Sequence, residues 1–113
     1  MRYSISILTL FVLSVTSPAM AAHSWTSAIK IDTLQVDANG DVLITLLSSH
    51  GDTECGSTGS NLKRYRLQKT NTAIYEAALS ISLTGLSTGA DMFFRGGGCV
   101  GSIPALGNIR ISS

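Results

Sequence analysis

The side chains able to react or to hold a metal crowd into one stretch of this 113-residue chain: Ser48, Ser49, His50, Asp52, Glu54 and Cys55 lie close together, with His23, Asp91 and Cys99 further off. A hydroxyl nucleophile needs a base beside it and a third group to orient that base, and such sets are assembled from separate elements. Ser48, Ser49, His50 and Asp52 are too close in sequence for that and read as turn residues. Glu54 and Asp91 are a carboxylate pair whose spacing gives no pointer to glycoside hydrolysis. A zinc set of His50, Cys55 and Cys99 lacks a fourth ligand and requires reduced thiols. These residues supply no catalytic constellation, so no enzyme activity, metal or cofactor is expected.

One further pattern has a chemical reading. Gly96-Gly97-Gly98-Cys99-Val100-Gly101 spells G-x-G-x-x-G, which binds a dinucleotide only where a strand precedes it and a helix follows to hold phosphate. Pro104 and a strand pattern follow here, so the glycines are expected to form a tight turn around Cys99.

The elements that position these residues begin after an export signal. Arg2 precedes an apolar run from Ile5 to Val15, Pro18 breaks it, and Ala19-Met20-Ala21 fits the small-x-small cleavage rule. Residues 1–21 are therefore expected to be a signal peptide and 22–113 a single domain, with cleavage after Ala22 also open. An uncleaved membrane anchor is the alternative, and the apolar run is short for a bilayer. Export makes Cys55 and Cys99 a disulfide before anything else. Beyond the signal, seven basic residues, Arg64 and Arg66 among them, balance seven acidic ones. That balance argues against nucleic acid as partner, because phosphate affinity is built from unbalanced Lys and Arg.

Asn39-Gly40 lies between two alternating apolar runs and predicts a β-hairpin. Val42, Ile44 and Leu46 share a face, whereas Ile29 and Ile31 are out of phase with Leu34 and Val36, which predicts a bulge near Asp32-Thr33. Ser48–Asn61 reads as a loop and Leu62–Gln68 as a third strand with Tyr65 and Leu67 inward. Arg64 and Arg66 fall on its other face, either as a ligand patch or as an ordinary solvated surface. From Asn71 to Leu83 the period turns helical, with Asn71 or Thr72 as cap, Gly85 as stop, and a stripe of Tyr75, Ala78, Leu79, Ser82, Leu83 and Leu86. Ala90–Arg95 and Ile103–Ile111 complete five strands. A mainly β domain with one helix between strands three and four and one disulfide is the element order of an OB-fold, a five-stranded Greek-key barrel. An open α+β sheet permits the same order.

A barrel with polar loops can bind a sugar or peptide on an aromatic platform, and Trp25, Tyr65 and Tyr75 are the candidates. Tyr65 and Tyr75 are expected in the core, which leaves Trp25. The chain also resembles the exported, cystine-containing B subunits of bacterial pentameric toxins of the subtilase cytotoxin type. The resemblance runs from the export signal through Trp25-Thr26 and Ser27-Ala28-Ile29-Lys30-Ile31-Asp32-Thr33-Leu34, and returns at Tyr75-Glu76-Ala77-Ala78-Leu79 and Thr88-Gly89. It implies a bacterial secreted or periplasmic protein, a homopentamer with helices around a pore, and a cell-surface glycan as partner, with Ser27 contributing a hydroxyl to a sialylated-glycan pocket. The segment from Trp25 to Ser27 is shorter than in that family and the chain end differs. A monomeric exported domain that binds another protein is the competing expectation.

Overall fold

The computed structural model describes residues 23–112, so the signal peptide and its cleavage site lie outside the described residues. Within that range five strands and one α-helix follow one another: β1 (Ile31–Val36), β2 (Val42–Leu46), β3 (Arg64–Leu67), α1 (Tyr75–Thr88), β4 (Asp91–Val100) and β5 (Ile103–Ser112). The Asn39-Gly40 turn joins β1 to β2, closed by the Asp37 N–H donating to the Asp41 carbonyl at 2.8 Å. The register slips between Ile31 and Thr33, where the apolar phase of the sequence breaks.

The sheet is mixed, with strand order β1-β2-β3-β5-β4. Neighbours are antiparallel except β3 and β5, which run parallel with Arg66 opposite Ala105. Ile29, just upstream of β1, forms an antiparallel bridge with Met92 of β4 and so joins the two ends of the strand row. The core lies inside: Val42, Ile44, Leu46, Tyr65, Leu67, Met92, Phe94 and Leu106 are all buried. Tyr65 stacks on Phe94 with ring centroids 5.4 Å apart. Among the described residues no helix is long and apolar enough to cross a membrane.

The helix sits further along the chain than the sequence pattern predicts. It starts at Tyr75 rather than at Asn71, because the Asn71 carbonyl closes a turn by accepting from the Ile74 and Tyr75 N–H groups, and no side chain caps the first turn. It runs through Gly85 and ends at Gly89, whose φ of 67° makes it the left-handed cap. Gly85 is a packing residue, since a Cβ there would lie 2.4 Å from the Met92 sulfur. The buried face is therefore Ala78, Ser82 and Gly85, while Leu83 and Leu86, expected on the inward stripe, are 52% and 37% exposed. The glycine run also differs from expectation. Gly96, Gly97 and Gly98 continue β4 rather than turning, and the chain turns one step later, at Gly101-Ser102.

Candidate functional site

The segment before β1 is held along β4 by backbone bonds. Thr26 N–H donates to the Phe94 carbonyl at 2.9 Å and Thr26 Oγ1 accepts from Phe94 N–H at 3.1 Å, while Ile29 and Met92 exchange bonds of 2.9 and 3.0 Å. This anchoring brings Trp25 beside β4 and β5. Phe93 lies directly opposite Arg110 across the β4–β5 ladder, and alternation turns both away from buried Met92 and Phe94. The Arg110 guanidinium carbon is 5.0 Å from the Trp25 ring centroid and 4.6 Å from that of Phe93.

Stacking on two aromatic faces fixes a guanidinium plane while leaving its edge donors free, and each such contact contributes about 0.5–1 kcal/mol at an exposed site. Arg110 has no carboxylate within ion-pair distance among the described residues. Trp25 keeps 39% of its surface in solvent and Ser27 is exposed beside it. A separate open groove of about 670 Å³ at the end of α1 is lined by Lys30, Thr84, Thr88, Asp91, Ile111 and Ser112, with Asp91 paired to Lys30 at 2.8 Å, and Ile111, opposite buried Met92, puts it on the helix side of the sheet. The patch thus offers an aromatic surface and a forked donor, a set that can bind a sugar ring or a carboxylate.

No family model, curated protein or solved structure matches this chain. The site is therefore read from its own residues.

Of the residues singled out from the sequence, Trp25 falls at this patch and Ser27 is exposed two residues on, while Arg64 and Arg66 lie elsewhere. Arg66 Nη1 donates to Asp37 Oδ2 at 2.5 Å and lies 3.8 Å from Asp41, so it ties β3 to the hairpin turn. The Arg66 guanidinium holds the Asp37 carboxyl below its ordinary range, helped by a bond from Gln35. Arg64 is half-buried, with Nη1 3.5 Å from Asn61 Oδ1. Tyr65 is a core residue, and burial pushes its phenol far above the ordinary range. Tyr75 donates its hydroxyl to the Gly40 carbonyl at 2.7 Å, locking the helix to the hairpin. Cys55 and Cys99 form the disulfide, with Cα atoms 5.5 Å apart. Phe93 and Arg110 were missed: Met92-Phe93-Phe94 reads as one apolar run, and only the alternation of Ile109, Arg110 and Ile111 marks Arg110 as outward.

The serine, histidine and aspartate cluster is occupied with holding its own loop. Ser49 Oγ accepts from Gly51 N–H at 3.1 Å and Asp52 Oδ1 from Glu54 N–H at 3.0 Å. His50 is buried, with Nδ1 accepting from Asp52 N–H at 2.9 Å, which leaves the proton on Nε2 to reach the Asn61 and Arg64 carbonyls at 3.0 and 3.1 Å. Burial holds this imidazole below its ordinary 6.5, outweighing the opposite pull of the Asn61 carbonyl, the Asp52 charge and the Arg64 carbonyl. Below pH 6.5 the unfolded chain therefore takes up a proton that the folded chain refuses. Stability is full above that pH and falls as the pH drops toward the lower folded value. Urea midpoints measured through this interval should decline with acid, and His50→Gln should flatten that part of the profile.

Proposed function

We propose that this chain is an exported, non-catalytic binding module, an OB-fold-like Greek-key barrel that recognises an acidic cell-surface glycan. The barrel reading is supported by the 1-2-3-5-4 strand order, the parallel β3–β5 pair and the Ile29–Met92 bridge between the ends of the row. The apolar run after Arg2 and the Ala19-Met20-Ala21 site support export. The observation that carries the binding reading is Arg110, stacked between Trp25 and Phe93 with no carboxylate within ion-pair distance among the described residues. A carboxylated sugar supplies that missing anion to Arg110 and lays its ring near Trp25, with Ser27 close enough in sequence to donate a hydroxyl. Assembly as a ring of five, as in the pentameric toxin B subunits the sequence resembles, would set several such patches on one surface and multiply weak contacts.

A glycan array with acidic and neutral sugars tests this directly. Binding confined to carboxylated glycans is expected, and Arg110→Ala or Trp25→Ala should each weaken it about tenfold or more, the scale of one lost charged contact, with the urea midpoint lowered only by the small loss of the stacking contacts. A blank array from folded protein overturns the glycan reading. One observation favours a second reading, a domain that binds another protein: the outer face of α1 exposes Ala77, Ser80, Leu83, Thr84 and Ser87, with Glu76 its one charge. A protein partner would resist elution by free sugar, and substitutions at Leu83 rather than at Arg110 would release it.

A further inference from the structure

His23 sits against the disulfide, far from where a loop reading of the chain start would leave it. Its Nδ1 is 2.6 Å from Asp52 Oδ2, its carbonyl accepts from Arg95 Nε at 3.3 Å, and the side chains of His23 and Asp52 are only 18% and 5% exposed. They rest on Gly96 of β4, where a Cβ would come within 2.5 Å of His23 Nδ1 and 2.8 Å of Asp52 Oδ2. An imidazole nitrogen of His23 and the two cysteine sulfurs lie within 4.8 Å of one another.

We propose that two-electron reduction of the Cys55–Cys99 disulfide converts this corner into a zinc(II) site with Cys55, Cys99 and His23 as ligands. The electrons come from an external dithiol, which is oxidised to its own disulfide while Cys55 and Cys99 each gain a proton. Zinc then displaces both thiol protons and binds two thiolates and a neutral imidazole, with water in the fourth position. Asp52 is the positioning residue: bonded to Nδ1, it fixes the tautomer that leaves Nε2 for the metal, the usual outer partner of a zinc-bound histidine. Tetrahedral zinc with bonds of about 2.3 Å holds its sulfur ligands about 3.8 Å apart. Once reduced, the two sulfurs need only part to that span, at a place where Cys99 is exposed and Cys55 half-buried. The exposure also gives the dithiol its access. His50, named from sequence as a third ligand, is committed to the Asn61 and Arg64 carbonyls, and His23 takes its place.

Cobalt(II) is the probe, because thiolate coordination gives it charge-transfer and tetrahedral d–d bands. Purified protein reduced with a phosphine and titrated with cobalt should take up one equivalent with both bands, and zinc should bleach them. Oxidised protein and the Cys55→Ser/Cys99→Ser double variant should show neither band. His23→Ala should weaken uptake by more than tenfold and lower the d–d intensity of what binds, while the thiolate charge-transfer band remains. Asp52→Asn should weaken it about tenfold, the usual scale for an outer partner. Reduced protein that takes up no cobalt, whether folded or unfolded by circular dichroism, overturns the site. So does uptake that His23→Ala leaves unchanged, since two thiolates alone would then account for it.

Discussion

Replacing Cys55 and Cys99 by serine should lower the unfolding free energy by about 4 kcal/mol, the largest loss expected from any change outside the core. The figure follows from the 44-residue separation of the two cysteines and the entropy the cross-link removes from the unfolded chain. Small domains have about 5–15 kcal/mol in total, so the variant should be partly unfolded at body temperature. Other contacts tie the same loop to the β4–β5 turn. Ser57 Oγ donates to the Ser102 carbonyl at 2.6 Å and Asn61 Nδ2 to Ser102 Oγ at 2.8 Å. These exist only in the folded state and do nothing to the unfolded ensemble, so they cannot replace the bridge. Urea unfolding of the double variant measures the difference, and a loss below about 1 kcal/mol would mean that the unfolded chain already keeps the two ends together.

The disulfide was legible because two cysteines leave one pairing, and the first hairpin because Asn39-Gly40 between alternating runs has few other uses. The bulge at Asp32-Thr33 could be read for a similar reason: a one-residue slip moves every later side chain to the other face, so a phase break in the sequence must be absorbed in the strand. The helix ends were misread because Asn71 and Gly85 carry local start and stop signals that the surrounding contacts override. Gly85 is small for the sake of Met92, a residue on another element, and no window around Gly85 contains that reason.

The candidate site was half legible for the same cause. Trp25 stood out by type, and Ser27, two residues on, only through the resemblance to the toxin B subunits. What makes Trp25 part of a site is Arg110, 85 positions later, and the register that puts it opposite Phe93. His23 is the sharper case. As a sequence it is a residue near a chain end, while in the fold the pairing of residues 26–29 with β4 carries it back to Asp52 and the cystine. Long-range strand pairing, which no local pattern encodes, creates both corners.

The same pairing sets the second large effect, at Gly97 and Gly107. Here β4 and β5 slip register, with Gly96 opposite Leu106 but Cys99 opposite Pro104, and the two backbones come together. A Cβ on Gly97 would lie 2.8 Å from Gly107 Cα, and one on Gly107 would lie 2.9 Å from Gly97 Cα. Both obstacles are main chain, which cannot rotate aside as a side chain can. Either Gly97→Ala or Gly107→Ala should therefore cost about 2–3 kcal/mol, the upper part of the range for an added group that forces the backbone to shift. Gly56→Ala is the control: its φ is +71° but nothing lies within 4 Å of the added carbon, so it should cost only about 1 kcal/mol of backbone strain. The two alanine variants combined should cost less than their sum, because the first already forces the strands apart and the second meets the space that opened. Urea unfolding of the four proteins decides it. Strict additivity would mean that each glycine is needed for its own conformation, and losses no larger than at Gly56 would mean that the strands part freely.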